Sequence, residues 1–255
     1  MDFVRVCFMV EEVATIGDKP NLFMKKTDHQ EDEIRNFFKK WPNLYYFIVY
    51  LFGPIYFGGL NSPEFFKKYH KNGQKINLGS GPRRISNDVI NVDFEKFEGV
   101  DVVADITKLP FKDNSVSMIV CDTVLEHVND PIKAVSEMYR VLEPSGFVYI
   151  SVPFLYPFHP SPSDYNRWTE QGLKYLLKDF EPIELGTRSG IFSTFSVMLC
   201  YSLPALFSFG SNTLYLLLSN LSLFIFFPIK FLDIIANRLP FSTKTASVLY
   251  IVARK

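Results

Sequence analysis

Cysteine is scarce. The chain has three in 255 residues, Cys7, Cys121 and Cys200, all far apart. An odd, scattered set excludes a disulfide framework and offers no zinc or redox spacing, so no metal is expected and a reducing compartment is the simplest setting. Net charge is lacking too: Lys+Arg 27 balance Asp+Glu 27, for +0. Without a basic excess, nucleic acid is not an expected partner. Met1 to Val10 carries Asp2 and Arg5 and only a five-residue apolar run, too short for a secretory h-region. Between Ser189 and Ile229 there is no charged residue at all. What abounds is aromatic: 26 Phe and 13 Tyr among a 16% aromatic fraction, which calls for a large core or a lipid surface.

The chain is organised around Lys75 to Pro82, a short apolar strand running into Gly79-Ser80-Gly81. Two glycines let the backbone turn without side chains in the way, so a ligand can lie against it. Such bends sit at the carboxyl ends of parallel strands. Alternating units follow. Strands are expected at Val89–Asp93, Val100–Asp105, Val116–Asp122, Phe147–Val152, Glu181–Thr187 and Ala246–Arg254. Asp130-Pro131 opens a helix with Ile132, Val135, Met138 and Val141/Leu142 on one face, and Pro144-Ser145-Gly146 stops it. Thr169 caps another helix that buries Leu173, Leu176, Leu177 and Phe180. Ser62-Pro63-Glu64 starts a helix before the first strand, with Ser62 as its cap. Earlier, Phe3–Val13 reads as a strand and Asp32–Lys39 as a helix. The uncharged stretch 44–60, broken at Gly53-Pro54 and preceded by Trp41, reads as an interfacial or core segment. The fold class is α/β: a Rossmann-like, seven-stranded, mostly parallel sheet with an apolar helical insertion before the last strand.

From Gly79 to Asp105 the residues become specific. A Leu-Gly-Ser-Gly-Pro turn is followed by Leu109-Pro110-Phe111, by Leu125-Glu126-His127 at a strand end, and by His159-x-x-Pro162-x-Asp164-Tyr165-x-Arg167. In this order the motifs resemble class I S-adenosylmethionine-dependent methyltransferases of the type 11-like branch. The resemblance runs from about Lys75 to Phe180 and resumes at the last strand. It implies S-adenosylmethionine as cofactor, with Asn77, Gly79, Ser80 and Gly81 at its methionine part. Asp93 would accept the ribose hydroxyls, as a carboxylate at a strand end can. Asp105 would accept the adenine amino group, with Ile106 and the 109–111 wall on the ring. Asp122 and Thr123, with Glu126-His127 on the turn after them, would face the reactive end. His159 and Asp164 are candidates for a general base, and Arg167 for an anion clamp or an ion-pair partner of Asp164. The competing reading of that cluster is a hydrogen-bonded lid, and of His127 a histidine packed on the sheet. Two features count against a nicotinamide dinucleotide: Asp93 follows Gly79 by only fourteen residues, and Arg84 holds the third-glycine position. Two depart from the family pattern. Asn77 replaces an acid, and Gly81 to Val89 leaves room for a first helix of about one turn or none.

The insertion can be an apolar subdomain, a dimer surface or a membrane hairpin. Ile191–Phe209 and Leu214–Ile229 each approach the ~20 residues of a membrane span, with a turn at Gly210–Thr213 between them. Because the flanking strands share one sheet, only zero or two crossings are allowed. Arg188, Lys230, Arg238 and Lys244 flank the near side, as a positive-inside bias expects, while Pro204 and Pro228 weaken regular helices. The organisation expected is an N-terminal extension (1–72, with apolar 44–60), a methyltransferase core (73–188), an apolar hairpin (189–243) and a last core strand (244–255). The function expected is methyl transfer to a small-molecule, lipid or glycan acceptor, membrane-bound or lipid-linked. The location expected is the cytoplasmic side of a membrane through contact at 189–229, or the cytoplasm if the insertion is a soluble cap. A lipid or prenyl-quinone acceptor is the second reading. A non-catalytic membrane scaffold and a nucleotide-sugar oxidoreductase are the readings of other classes.

Overall fold

A computed structural model describes residues 51–82, 84–96, 98–159 and 163–255. The readings at Phe3–Val13, Asp32–Lys39, Trp41, 44–50 and Pro162 lie outside these residues. The strands are β1 (Lys75–Leu78), β2 (Val89–Asp93), β3 (Val102–Val103), β4 (Val116–Asp122), β5 (Leu142–Pro153), β6 (Glu181–Ser189) and β7 (Val248–Arg254). They form one sheet in the order β3-β2-β1-β4-β5-β7-β6. Neighbours from β3 to β5 pair in parallel, and β7 runs antiparallel to both β5 and β6. This is the Rossmann-like sheet the residues called for. The carboxyl ends of β1, β2 and β4 therefore share one edge.

β4 is the centre of the sheet, and the two faces of its strands feed two cores. Ile119, Cys121, Val148, Ile150, Leu249 and Ile251 pack on one side. Met118, Val120, Tyr149, Tyr250 and Val252 pack on the other with Phe65. Helices cover both. Phe65, fully buried, comes from α1 (Ser62–Lys68). The other face is covered by α2 (Pro131–Val141) and α3 (Glu170–Leu176), capped by Asp130 and Thr169. Such faces bury apolar area worth about 25 cal/mol per Å².

Four local expectations need correction. The α1 cap is Asn61: its Oδ1 accepts the Glu64 N–H at 2.9 Å, while Glu64 accepts the Asn61 N–H at 3.2 Å. That capping box frees Ser62 for another bond. Ile132 is 72% exposed. The buried arc of α2 centres on Ala134 and Met138, and at 3.6 residues per turn Ile132 is turned about 130° from it. The strand expected at Val100–Asp105 shrinks to Val102–Val103; ahead of it the Asp101 carboxylate accepts the Asn91 N–H at 2.8 Å. β5 starts at Leu142 rather than Phe147. Pro144-Ser145-Gly146 bulges inside it, so Val116 faces Leu142 but Met118 faces Phe147. No helix stands between Gly81 and Val89 among the described residues. Instead the Ser80 N–H bonds the Val92 carbonyl at 3.2 Å and ties the bend to β2.

The insertion is an antiparallel pair, α4 (Ile191–Phe207) and α5 (Asn212–Phe226), followed by a 3-10 turn (Phe227–Leu232) and α6 (Asp233–Ala236). Pro204 sits in the last turn of α4, and α5 ends two residues before Pro228. Small buried residues, Ser193, Ser196, Ser219 and Ser222, line the pair. The base is locked by polar groups. Asp233, fully buried, accepts the N–H groups of Gly190 (3.2 Å), Phe192 (3.0 Å) and Ser193 (2.8 Å) at the start of α4. Lys230 is also fully buried and donates Nζ to the Gly53 carbonyl at 2.6 Å. Its charge is thus inside the protein and does not belong to a surface flank. Arg238 and Lys244 are exposed.

A second polar knot joins α1 to the last strands. Glu184 accepts from Lys68 Nζ at 2.7 Å, from Tyr250 at 2.8 Å and from the Tyr69 hydroxyl. Burial would raise the Glu184 carboxyl, but Lys68 and the two phenols outweigh it and hold it below its ordinary 4.5. Burial and Glu184 push both phenols up. A depressed carboxylate stabilises the fold above its unfolded value and loses that contribution as pH falls through the folded one. A raised phenol costs stability once pH exceeds its unfolded value of 10.0. Thermal midpoints of wild type and Glu184→Gln are expected to differ most near neutrality and to converge as pH drops below about 4.

Candidate active site

The bend after β1 places two glycines in the left-handed region, Gly79 at φ +63° and Gly81 at φ +52°. A Cβ on Gly79 would stand 2.4 Å from Val124 Cγ2. Val124, in the turn that follows β4, thus packs directly on the backbone at the carboxyl end of β1 and leaves no space for a side chain there. Asp93, at the tip of β2, accepts the Gly81 N–H at 2.7 Å through Oδ2 and the Glu95 N–H at 3.0 Å through Oδ1. A carboxylate has about four lone-pair positions, so two remain for a diol. Asp105 follows β3 on the same edge, exposed, with one oxygen on the Thr107 N–H at 2.8 Å. Ile106 and Leu109 beside it are buried. Ser80 turns its hydroxyl to the Gly81 carbonyl at 3.0 Å. Asn77 lies one layer deeper: it is 5% exposed and donates to Asn91 Oδ1 at 3.2 Å.

At the mouth of β4, Asp122 accepts Ser62 Oγ at 2.9 Å and also the Ser151 hydroxyl. Thr123, at φ +54°, donates its N–H to the Ser151 carbonyl at 3.1 Å. Sequence reasoning missed Ser62 and Ser151. Ser62 arrives from α1, sixty residues away, and becomes available only because Asn61 takes the cap. Cys121 beside them is inert. Burial, then the charges of Glu126 and Asp122, push its thiol well above its ordinary value.

The loop after β5 brings His159, Asp164 and Arg167 together. Asp164 accepts the His159 N–H at 2.9 Å and chelates the Arg167 guanidinium, with Nη2 at 2.6 Å. The remaining Arg167 donors reach the carbonyls of Tyr156 (3.1 Å), Asn166 (2.8 Å) and Pro157 (2.8 Å). All five N–H groups of Arg167 are committed inside the loop. Burial would raise the Asp164 carboxyl, yet Arg167 and the His159 N–H hold it down. Burial opposes charging His159, but Glu126, the Pro157 carbonyl and Asp164 outweigh it and lift its pKa. The His127 and His159 rings meet edge to face, with centroids 5.2 Å apart. Glu126, fully buried, stands between them. The sequence pointed to its turn as part of the reactive end but gave no sign that its side chain is buried between two histidines.

A cavity of about 460 Å³ opens elsewhere, lined by Tyr56, Gly186, Asp233, Asn237, Arg238 and Tyr250 among others. It sits at β6, three strands from β4, or about 14 Å at ~4.8 Å per strand. It is therefore separate from the edge that carries Gly79, Asp93 and Asp122.

Residues 82–150 match a family model described as a methyltransferase domain. A demethylmenaquinone methyltransferase of Renibacterium salmoninarum is 39% identical over 70 residues, 26% of this chain and 30% of that protein. A protein of Mycolicibacterium smegmatis, described as a probable S-adenosylmethionine-dependent methyltransferase, is 31% identical over 86 residues, 30% of this chain and 34% of its own. An uncharacterized protein of Methanocaldococcus jannaschii is 43% identical over 51 residues, 20% of this chain and 22% of that one. The chain spans about a third or less of the length of these curated relatives. Among solved structures, an S-adenosylmethionine-dependent methyltransferase of Thermotoga maritima, titled a possible histamine N-methyltransferase, aligns with TM-score 0.50 and 16% identity. That alignment covers 86% of this chain and 98% of the other, and it shows a shared fold.

Proposed function

We propose, from the premise that this chain carries a class I S-adenosylmethionine-dependent methyltransferase domain, that it transfers a methyl group to an acceptor held at a membrane. One observation carries the reading. A bare glycine bend lies beside Asp93, and Asp93 has two lone-pair positions to spare on the edge where Asp105 also stands. These residues fit the cofactor. Gly79 to Gly81 would lie at its methionine end, Asp93 would accept the ribose diol, and Asp105 would accept the adenine amino group while Ile106 and Leu109 would wall the ring. When bound, the cofactor supplies an electrophilic methyl on a sulfonium whose leaving group is neutral.

The chain's own task is then placement. Holding an acceptor in line contributes up to ~7–11 kcal/mol, and no strong base is required. Asp122, fixed by Ser62 and Ser151, sets the polar floor at the β4 mouth. His159 stands over that edge, and Asp164 and Arg167 are positioning residues that hold it there. In this reading residues 73–188 and 244–255 form the catalytic core.

Membrane contact is read from the insertion. The pair α4–α5 exposes Leu206 (68%), Phe209 (87%), Leu217 (64%) and Phe224 (59%). The helical stretch Asn212–Ala236 has mean hydropathy 1.7 with 22% buried, and is long and apolar enough to cross a membrane. Yet α4, at 1.5 Å per residue, is about 25 Å long, short of a ~30 Å hydrocarbon core. The pairing of β6 with β7 returns both ends to one side. A hairpin that dips into one leaflet from the cytoplasmic side satisfies both facts. The acceptor is then lipid-linked, a glycan on a lipid carrier being the first choice. A prenyl-quinone is the second, favoured by the Renibacterium relative.

The test is transfer of labelled methyl from S-adenosylmethionine to membrane extracts, with the product resolved into glycolipid and quinone fractions. Label in a glycolipid supports the first reading and label in quinone the second. Label only in water-soluble products, with no co-sedimentation of the protein with vesicles, removes the membrane from the account.

A further inference from the structure

We propose that Glu126, His127 and His159 form a binding site for one divalent first-row transition ion of the zinc type, at the carboxyl ends of β4 and β5. The site does not depend on the methyl-transfer reading.

The three residues lie 33 positions apart along the chain at their widest, and two loops bring them together. Glu126 and His127 sit in the 3-10 turn Leu125–His127 after β4. His159 sits in the loop after β5. Their ligand atoms all fall within 4.8 Å of one another. Nε2 of His127 and Nε2 of His159 each lie 3.9 Å from the same oxygen, Glu126 Oε1. Bonds of about 2.0–2.2 Å in a tetrahedron separate ligand atoms by about 3.3–3.6 Å. Closing 3.9 Å to that distance is a small side-chain rotation.

Glu126 supplies an independent observation. Its side chain is fully buried, and neither carboxylate oxygen has a hydrogen-bond partner among the described residues. A carboxylate held dry without a donor is costly unless a cation joins it. At 3.9 Å neither imidazole is within hydrogen-bond reach of Oε1. An ion between the three groups satisfies the carboxylate.

The outer contacts fit as well. Nδ1 of His127 faces the Ser163 carbonyl at 2.6 Å. Nδ1 of His159 faces the Pro157 carbonyl at 3.0 Å and the Asp164 carboxylate at 3.4 Å. Arg167 Nη2 is also near it, at 3.2 Å, but is committed to Pro157 and Asp164. Carbonyl and carboxylate oxygens only accept, so Nδ1 of each ring carries the hydrogen. Nε2 then keeps its lone pair toward Glu126. This is how metal-binding histidines are oriented from behind. Two imidazoles and one carboxylate suit zinc, iron or cobalt better than calcium or magnesium, which prefer all-oxygen sets. Three protein ligands leave at least one coordination position for a small molecule.

The test uses the full chain, stripped with a chelator and without cofactor or acceptor. Cobalt(II), a coloured stand-in for zinc, is titrated while visible absorption is followed, and zinc is counted by elemental analysis after dialysis. One equivalent of each is expected, with a structured d–d band and a zinc-dependent rise in the thermal midpoint. Glu126→Gln and His159→Ala are expected to weaken binding at least tenfold. Absence of stoichiometric ion in the wild type overturns the proposal whether or not the variants fold. Binding left unchanged by both substitutions overturns it equally, because the ion is then held elsewhere.

Discussion

Gly79→Ala is expected to cost the protein both stability and its nucleoside. At φ +63° an L side chain costs roughly 1–2 kcal/mol. The new methyl would also stand 2.4 Å and 2.7 Å from the two γ-carbons of Val124. Val124 is β-branched and stiff, and it begins the turn that carries Glu126 and His127, so it yields only by moving that turn. Overpacking of this kind costs about 1–3 kcal/mol. The melting temperature is expected to fall, and affinity for S-adenosylmethionine to drop more than about tenfold, the equivalent of 1.4 kcal/mol. Val124→Ala in the same chain should recover the packing share of the loss and leave the backbone share. If Gly79→Ala melts and binds like the wild type, the bend is not where the cofactor lies.

Asp233→Ala is expected to be the most destabilising exchange in the insertion. One buried carboxylate serves three N–H groups at the start of α4. Each buried donor left without a partner costs about 1–3 kcal/mol, and a total above about 4 kcal/mol marks an exceptional site. Asp233→Asn keeps one good acceptor and should lose roughly half as much. Chemical denaturation measures both. Equal, small losses in the two variants would mean that water replaces the carboxylate and that the hairpin base is open.

The fold was legible where short-range rules decide it. Gly79 and Gly81 announce a bend because little else takes that backbone. Val116–Asp122 and Val148–Val152 are apolar enough to be central strands. The helix between β4 and β5 calls for their parallel pairing. Asp93 could be placed at a strand tip from its position alone, whereas Asp105 falls two residues beyond the short β3. What stayed hidden depends on distant partners. Ser62 reaches Asp122 only after Asn61 takes over the cap, and no local pattern chooses between two good capping residues. Glu126 looks like an exposed acid in sequence, and only the packing of two loops makes it buried and unpartnered. Lys230 read as a flanking charge, since nothing nearby in the chain reveals the Gly53 carbonyl it meets. Arg167 read as an anion clamp or a partner of Asp164, and the pairing is what the fold makes: its donors are spent on Asp164 and the loop that carries it.

The central claim is that Asp93 grips an adenosine over the glycine bend. The most direct measurement is calorimetric titration of S-adenosylmethionine into the wild type, Asp93→Asn and Asp93→Ala, with thermal midpoints taken in parallel. The account predicts one site in the wild type. It predicts at least about tenfold weaker binding in Asp93→Asn, which keeps an acceptor for Gly81 but lacks a second for the diol, and no measurable heat in Asp93→Ala. Wild-type affinity in a well-folded Asp93→Ala would contradict it.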